Sequence, residues 1–495
     1  MRLSELAAQL EGAHLRGNGG VEIGGLTCDS RSVKRGMLFA ALAGTKLCGE
    51  DFIPEAVRKG AAAILAENAV EGLAVPLVTV PDARRALAFA AEYFYGRPSR
   101  RLDLFGVTGT NGKTTTACLL RHLLVQAGRP TGLLGTITYE TGREKRPAPL
   151  TTPDSVAFSA ALAEMVKNGC RAAVAEVSSH ALDQSRAAGV RFSAAVFTNL
   201  TRDHLDYHGD LERYAKAKLR LFEMLPAGAP AILNADDPFA WRIAQATQGK
   251  VLRYGFSPEN DLSATVENLS LDGSDVTLRF QDRNQGLHTG LIGMYNIQNI
   301  MAAALAALSQ DVPLGETARA IASFPGVAGR LERIPSKGGS AVFVDYAHTD
   351  DALRNVLGTL RSLTQGRLIA LFGCGGDRDR GKRPLMAEAA EDAADLVIVT
   401  QDNPRTEAPE RIFRDIRQGF RQPEAVFFQP DRARAIRLAV ERARPEDTVL
   451  IAGKGHENYQ IFGTRRIPFD DRAVAAEAVR NCRAEEGAAG AVRRD

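Results

Sequence analysis

Several ingredients are scarce in this chain, and each scarcity closes a class of function. Among 495 residues there is one tryptophan, and aromatic residues make up 6%. That leaves little material for stacking nucleic-acid bases. No sign of charge dominates either: 62 Lys and Arg face 59 Asp and Glu, a formal net charge of +3. Such a balance gives no electrostatic ground for a dedicated nucleic-acid or membrane-surface binder. The cysteines, Cys28, Cys48, Cys118, Cys170, Cys374 and Cys482, are too far apart in sequence for zinc-type pairs. A disulfide framework is not expected in a chain of this size. Long apolar runs are missing as well. The longest uncharged stretch, 284–310, is interrupted by Tyr295, Asn296, Gln298 and Asn299. It reads as strand, turn and helix rather than as a membrane span. The first residues carry Glu5 and Glu11 where a secretory signal needs an apolar segment. A cytoplasmic protein without membrane insertion is the expectation.

What is present is ordinary globular composition, 45% hydrophobic and 24% charged. At ~100–200 residues per domain the length predicts about three domains. The first block, 1–98, mixes short β-rich pieces (Ala62–Leu65, Val75–Val80) with a helical pattern over Ala83–Tyr95. Gly96-Arg97-Pro98-Ser99 then breaks the pattern and marks a boundary. In the second block, 99–330, a strand from Leu102 runs into a Gly-rich turn and a helix over Thr114–Ala127. Strands are predicted at Ala172–Val177, Ala194–Thr198 and Ala231–Asn234, each joined by helix-like sequence. The third block, 331–495, alternates strands at Ala341–Val344, Leu368–Phe372, Leu396–Thr400 and Thr448–Ala452 with helices such as Asp431–Arg442. The expected class is α/β: a small N-terminal α/β domain, a central P-loop ATPase-like parallel sheet, and a C-terminal Rossmann-like α/β domain.

The densest chemical signal is Phe105-Gly-Val-Thr-Gly-Thr-Asn-Gly-Lys-Thr-Thr-Thr116. A strand ends, Gly109 and Gly112 turn the chain, and Lys113-Thr114 opens a helix. Backbone N–H groups of such a turn cradle phosphates at the positive helix end. Lys113 is placed to reach the β/γ-phosphates and the Thr114 hydroxyl to face Mg²⁺. A tight turn that binds nothing would need neither the lysine nor three successive threonines. The usual spacing asks for glycine where Val107 stands. Glu176, at the end of a predicted strand, is a suitable oxygen ligand for Mg²⁺, and taken alone reads equally as a strand-terminal acid satisfied by solvent or a nearby arginine.

Thr108-Gly-Thr-Asn-Gly-Lys-Thr-Thr115 resembles the ATP loop of the Mur ligases, which build the peptide stem of the bacterial cell-wall precursor. That variant carries Thr-Asn before Gly-Lys, which accounts for the spacing. The resemblance runs from Asp29-Ser30-Arg31 to Phe469-Asp-Asp-Arg472, and is strongest to the ligases that add the third stem residue. It implies that Gly109, Thr110, Asn111, Gly112, Lys113, Thr114 and Thr115 bind ATP. Glu176 would hold one Mg²⁺, and His204, in Thr198-Asn-Leu-Thr-Arg-Asp-His204, would help hold a second; His208 reads as structural. In Tyr214-Ala-Lys-Ala-Lys-Leu-Arg-Leu-Phe222 the matching lysine is Lys218, which would carry a CO₂-derived carbamate as a further metal ligand. Lys216, two residues earlier, should point away from it on a helix.

Asn296 and Asn299 match the adenine side, although helix capping explains Asn296 equally well. Asp345 and His348 match the ribose side. Arg330, at the expected hinge, is placed to contact phosphate as domains close. For a UDP-sugar substrate, Ser30 and the loop 44–49 match the uridine side, with departures at Cys48 and Glu50. Thr151, Thr152, Ser178, Gln184 and Arg186 match the positions that hold the sugar-peptide portion.

Asp402-Asn403-Pro404-Arg405 alone is a strand followed by a turn with a surface arginine. In the family it lies in the pocket for the incoming amino acid, together with Arg378, Gly453 and Glu457. Arginine presents a planar fork suited to a carboxylate. Meso-diaminopimelate has a carboxylate at its far end and lysine has none, so Arg405 favours the former. The implied reaction is ATP-dependent addition of meso-diaminopimelate to UDP-N-acetylmuramoyl-L-Ala-D-Glu through an acyl phosphate, by a monomer. The rivals are a lysine-adding homologue, a folylpolyglutamate synthetase-like ligase and a non-catalytic nucleotide-binding switch.

Overall fold

The computed structural model describes residues 1–44, 48–336 and 339–492, with side chains up to residue 482. The chain divides into two compact units. One comprises Met1–Leu200, His208–Leu262 and Ala302–Thr317, and the remaining described residues form the other.

The first unit contains two sheets. Strands β1 (His14–Arg16), β2 (Gly25–Thr27), β3 (Met37–Ala40), β4 (Ala63–Ala66) and β5 (Leu77–Thr79) pair in the order β1-β5-β4-β3-β2. Its core joins Leu38, Leu65 and Val78 to Leu87, Ala90 and Ala91 of the helix Ala83–Phe94. That helix is started by Asp82, whose carboxylate accepts the Arg85 N–H at 2.9 Å. It stops where Gly96 and Arg97 take positive φ, +78° and +56°. Gly44–Gly49, the expected uridine-side loop, is described only in part, because residues 45–47 lie outside the described residues.

The second sheet of this unit contains β6 (Asp103–Thr108), β7 (Thr131–Leu134), β8 (Thr138–Glu140), β9 (Lys145–Pro147), β10 (Ala172–Glu176), β11 (Ala194–Phe197), β12 (Pro230–Asn234) and β13 (Lys250–Gly255). Their order is β13-β12-β11-β6-β10-β7-β8-β9. Pairing is parallel from β13 to β7 and antiparallel at β8 and β9. All five residues of β10 are buried, as a parallel strand covered on both faces requires.

In the second unit β14 (Leu262–Ser270), β15 (Gly273–Phe280) and β16 (Arg283–Thr289) follow as neighbours. A six-stranded sheet then forms from β17 (Glu332–Ile334), β18 (Ala341–Asp345), β19 (Leu368–Phe372), β20 (Leu396–Val399), β21 (Phe427–Phe428) and β22 (Thr448–Ala452). Its order is β17-β18-β22-β19-β20-β21, and only β17 runs antiparallel. Alternate residues serve opposite faces: Phe343 packs with Leu353 and Leu357, while Val342 and Val344 pack with Ile436 and Ala439. The hairpin β23 (Tyr459–Phe462) and β24 (Arg465–Pro468) follows. Among the described residues no helix is long and apolar enough to cross a membrane.

Each strand expected from the sequence is present within a residue or two of its predicted ends. The uncharged stretch 284–310 folds as expected, with β16, a turn and the helix Met294–Leu308. The antiparallel strands β1, β8, β9, β15, β17, β23 and β24 are not among those expected from the sequence, nor is β14.

Candidate functional site

The phosphate loop follows β6. Gly109 (φ +153°) has no room for a side chain, since a Cβ there would run into the Thr198 hydroxyl. Gly112 (φ +82°) precedes the helix Lys113–Gln126. The loop is fixed from β11: the Thr110 N–H donates to Asn199 O (2.8 Å) and the Asn111 N–H to Asn199 Oδ1 (2.9 Å). The Thr198 hydroxyl donates to Asn111 O at 2.6 Å. Lys113 folds its ammonium onto the loop carbonyls of Gly109 (2.8 Å) and Thr110 (2.7 Å). A phosphate chain entering the loop would meet this ammonium together with the helix N-terminus.

Glu176 ends the adjacent strand β10 and is 1% exposed. Its Oε2 accepts the hydroxyls of Thr114 and Thr136, both at 2.9 Å, and its Oε1 accepts the Thr136 N–H at 2.8 Å. The Thr151 hydroxyl lies 3.2 Å from that of Thr136. Thr152 donates its hydroxyl to Glu176 O (2.8 Å) and accepts the Ser178 N–H (3.0 Å). Arg186 donates to Thr152 O at 3.0 Å and twice to Gln184 Oε1, at 3.1 and 2.7 Å. Thr151, Thr152, Ser178, Gln184 and Arg186 are thus one hydrogen-bonded group around Glu176. Ser30 is not part of it and donates instead to Glu55 at 3.3 Å. Glu50 accepts from Asn68 at 2.9 Å.

Hard oxygen donors, one carboxylate and two hydroxyls, suit Mg²⁺, which takes few protein ligands and completes its shell with water and phosphate. Among the described residues no three His, Cys, Asp or Glu side chains cluster as a metal site. The donor set therefore fits Mg²⁺ held with a bound phosphate better than a closed all-protein cage.

On the helix Leu211–Glu223, Lys216 is exposed and Lys218 is 1% exposed, so the two point apart as expected. Lys218 Nζ donates to Gly109 O at 2.7 Å and lies 4.3 Å from the centre of the Tyr214 ring. The Tyr214 hydroxyl bonds Thr110 Oγ1 at 3.1 Å. The lysine and its helix are thereby tied to the phosphate loop. His208 is buried, 3.0 Å from the Ser179 hydroxyl, in a structural place. His204 belongs to the second unit, at φ +55°, with Nδ1 3.4 Å from the Asp203 carboxylate.

In the second unit the expected amino-acid pocket assembles at the carboxyl ends of β22, β19 and β20, where open α/β sheets bind ligands. Asp402 and Asn403 are buried after β20. Arg405 (φ +53°) donates to Gly376 O at 2.9 Å, and its backbone bonds Ile461 O and the Gly463 N–H at 3.0 and 2.7 Å. Gly375 stands beside both the Arg405 guanidinium and the Arg378 stem. Gly376 has no room for a Cβ against Pro404 O. Gly453 (φ +116°) passes Asp402, and Glu457 Oε2 accepts Asn403 Nδ2 at 2.9 Å. Arg378, Asp402, Asn403, Pro404, Arg405, Gly453 and Glu457 therefore share one place. The arginine turn is braced by Glu407, which binds Arg383 at 2.7 Å and Arg380 at 2.8 Å. Hydrogen bonding to Arg383 pulls the Glu407 carboxyl down to about 2.

Residues expected on the nucleotide side have firm local partners. Asn296 donates to Ile292 O at 2.9 Å and accepts from Asn299 at 3.1 Å. Asp345 accepts the N–H groups of Leu331 (2.5 Å) and Ala347 (2.7 Å), and burial raises its carboxyl despite Arg330 nearby. The Arg330 guanidinium lies 4.6 Å from the Tyr346 ring centre. Burial, followed by the Lys382 charge, lowers His348, whose Nδ1 lies 2.9 Å from Tyr346 O. Burial, then Arg330 and Arg472, takes His456 down to about 3. Gly329 and Gly455 touch backbone to backbone, which only glycine allows.

Comparison with known proteins decides the family. Residues 22–95 match the Mur ligase family catalytic domain, 107–307 the Mur ligase middle domain, and 329–455 the Mur ligase glutamate ligase domain. A protein of Solibacter usitatus (strain Ellin6076) is 46% identical over 463 residues, 93% of this chain and 94% of its own. The chain belongs to the Mur ligase family. A relative from Gloeobacter violaceus (strain ATCC 29082 / PCC 7421) is 45% identical over 97% of this chain and 98% of its own. Both relatives are named UDP-N-acetylmuramoyl-L-alanyl-D-glutamate–2,6-diaminopimelate ligase. A solved structure of an enzyme so named is similar at TM-score 0.71 and 35% identity, covering 97% of this chain and 99% of that one. The Mur ligase architecture of three α/β domains, and the expected fold class with it, is thereby shown.

Three contributors to this Mur ligase site were missed in the sequence. Thr136 binds Glu176 through both hydroxyl and backbone. Its only advance signal is a polar residue after a buried strand. Asn199 fixes two loop N–H groups, and its position just past a predicted strand is its only signal in the sequence. Lys454 follows the pocket glycine Gly453 and is fully buried among pocket side chains.

Proposed function

We propose that this Mur ligase joins meso-diaminopimelate to UDP-N-acetylmuramoyl-L-Ala-D-Glu at the expense of ATP. The γ-carboxylate of the D-Glu residue attacks the γ-phosphorus of ATP, giving an acyl phosphate and ADP. The amine of diaminopimelate then attacks the acyl carbon, loses a proton, and expels phosphate.

The observation that carries this reading is the pocket after β20. Arg405 and the stem of Arg378 stand together beside Gly375 and would take a far-end carboxylate, while Asn403 and Glu457, bonded to each other, would take an ammonium. A site built for a polar group rejects an analogue lacking it by ~10⁴-fold or more, because its own groups are left unpaired. Lysine is such an analogue.

Residues Gly109–Thr115 would hold the ATP phosphates, with Lys113 leaving its two carbonyls to neutralise them. Thr114 and Glu176 would hold one Mg²⁺, Lys218, as its carbamate, would add a metal ligand near the γ-phosphate, and His204 would help hold a second Mg²⁺. When bound, Mg²⁺ screens the charge of the phosphates. Thr151, Thr152, Ser178, Gln184 and Arg186 would orient the muramoyl-peptide, Ser30 the uridine side. Asn296, Asn299, Asp345 and His348 would line the nucleoside, and Arg330 would contact phosphate. We assign 1–98 to the UDP-sugar domain, 99–330 to the ATP domain and 331–495 to the amino-acid domain, in a cytosolic monomer.

The test is ADP release by the purified chain with ATP, Mg²⁺ and the UDP-muramoyl dipeptide, offered diaminopimelate, lysine or glutamate in parallel. Release with diaminopimelate alone is expected. Turnover with lysine alone would reassign the enzyme, and no release with any of the three would remove the reading.

A further inference from the structure

Lys454 is fully buried, and its ammonium has three acceptors around it. Nζ lies 2.9 Å from Glu457 Oε2, 3.2 Å from Asn403 Oδ1 and 3.7 Å from Asp402 Oδ1. It is also 5.3 Å from the Tyr459 ring centre. Asn403 closes the circuit by donating Nδ2 to the same Glu457 oxygen at 2.9 Å. The backbone joins in: the Ile461 N–H donates to Asn403 Oδ1 at 3.0 Å, and Gln460 donates to Asp402 O at 2.9 Å.

A buried ammonium persists only when paired and hydrogen-bonded, so these acceptors are fixed by the same contacts that satisfy it. Arg432, the other buried cation nearby, is committed elsewhere. Its guanidinium makes two bonds of 2.7 Å to Asp471 and one of 2.9 Å to Ala452 O. Lys454 is thus the cation that touches Glu457 and faces Asp402. Two carboxylates against one ammonium leave the inner pocket one negative charge, which matches one far-end ammonium. Arg405 and Arg378 then remain for a far-end carboxylate. Without Lys454 the inner pocket would hold two uncompensated acids and suit a far end that is cationic only.

We propose that Lys454 is a positioning and selectivity residue of the amino-acid pocket. It holds Glu457 and Asn403 in place for the far ammonium, and by cancelling one acidic charge it biases the pocket towards a zwitterionic far end over a purely cationic one. The proposal deepens the diaminopimelate reading and rests on it.

The test compares the full-length wild type with Lys454→Met, similar in length and neutral, and Lys454→Arg, which keeps the charge. KM for diaminopimelate, ATP and the UDP-muramoyl dipeptide and the relative kcat/KM for lysine and diaminopimelate are measured for each. Loss of one ionic hydrogen-bond set should raise the diaminopimelate KM of Lys454→Met about 30-fold. KM for ATP should stay within about twofold, and the lysine-to-diaminopimelate ratio should rise at least about tenfold. Lys454→Arg should raise the diaminopimelate KM while keeping wild-type discrimination against lysine, a result that stands even where Lys454→Met does not fold. An unchanged diaminopimelate KM in Lys454→Met, an equal rise in all three KM values, or loss of discrimination in Lys454→Arg would overturn the proposal. A wild type that turns over no diaminopimelate would instead remove the functional reading, and this proposal with it.

Discussion

Around the phosphate loop, the buried acid Glu176 is satisfied by the hydroxyls of Thr114 and Thr136 and one backbone N–H. Around the amino-acid pocket, Glu457 and Glu407 are satisfied by Lys454, Arg383 and Arg380. Under the proposed function the two regions take different ligands, and their chemistry differs accordingly. Hydrogen bonds from neutral donors to a carboxylate are worth ~1.5–3 kcal/mol each, and an entering divalent cation, which attracts the carboxylate more strongly than a hydroxyl does, can take over the Glu176 oxygens. A buried ion pair deprived of one partner loses ~3–5 kcal/mol, so the pocket's charges stay where they are and can discriminate between similar substrates. Exchange is what a site for phosphate and metal needs. Fixity is what a selective pocket needs.

The contrast is broken most severely on the phosphate side. Lys218→Ala removes the amine that reaches Gly109 O and the ligand it would supply. Loss of a charge-stabilising group in an active site lowers kcat ~10²–10³-fold, and near-complete loss of ADP release is expected here. Full activity in Lys218→Ala, or wild-type turnover that is unaffected by stripping CO₂ and bicarbonate, would count against the carbamate. Lys216→Ala, on the exposed side of the same helix, serves as the control and should change kcat less than about twofold.

On the pocket side, Arg405→Ala should lower kcat/KM for diaminopimelate about 10²–10³-fold while KM for ATP holds, since one bidentate carboxylate partner is lost. Steady-state kinetics with each substrate varied in turn decides it. Equal losses for ATP and diaminopimelate would mean a collapsed loop rather than a lost contact. A smaller effect is expected for Glu176→Gln. The hydroxyl network can persist around an amide, but the anionic oxygen for Mg²⁺ is gone, so the Mg²⁺ concentration for half-maximal rate should rise about tenfold. An unchanged Mg²⁺ titration would remove Glu176 from the metal site.

The same contrast explains how far the sequence could be read. The phosphate loop is legible because backbone geometry demands it: Gly109 and Gly112 must take positive φ at fixed positions before a helix. The parallel strands are legible because burial on both faces forces continuous apolar runs such as β10. Arg405 and Glu457 could be placed through a resemblance, and the structure brings them to one pocket. Lys454 could not, because its acidic neighbour Glu457, three residues on, reads as an ordinary local pair, while its other partner, Asn403, lies 51 residues away. Contacts across that separation leave no periodic trace. Thr136 escaped for the same reason, 40 residues from Glu176. The strands β8, β9 and β24 have exposed or mixed faces, and their short, charged sequences carry no clean alternation.

The mildest prediction concerns acid. Glu407 is bonded to Arg383, which is fully buried and always charged, and its carboxyl is held down to about 2 against ~4.3 for a free glutamate. A depressed carboxyl adds stability that is complete above the unfolded value and drains away as pH falls towards the folded one. The folded protein should therefore lose stability between about pH 4.5 and pH 2 as Glu407 gains its proton and Arg383 keeps Asp415, 2.7 Å away, as its carboxylate partner. Glu407→Gln should be less stable than wild type at neutral pH and should respond less steeply to acid, because that proton uptake has been removed. Urea unfolding followed by circular dichroism from about pH 7 to about pH 3 reads both effects. Parallel pH slopes in the two proteins would show that the brace beneath Arg405 is not held by this charge, and that the pocket's fixity comes from the backbone bonds of Arg405 to Ile461 and Gly463 instead.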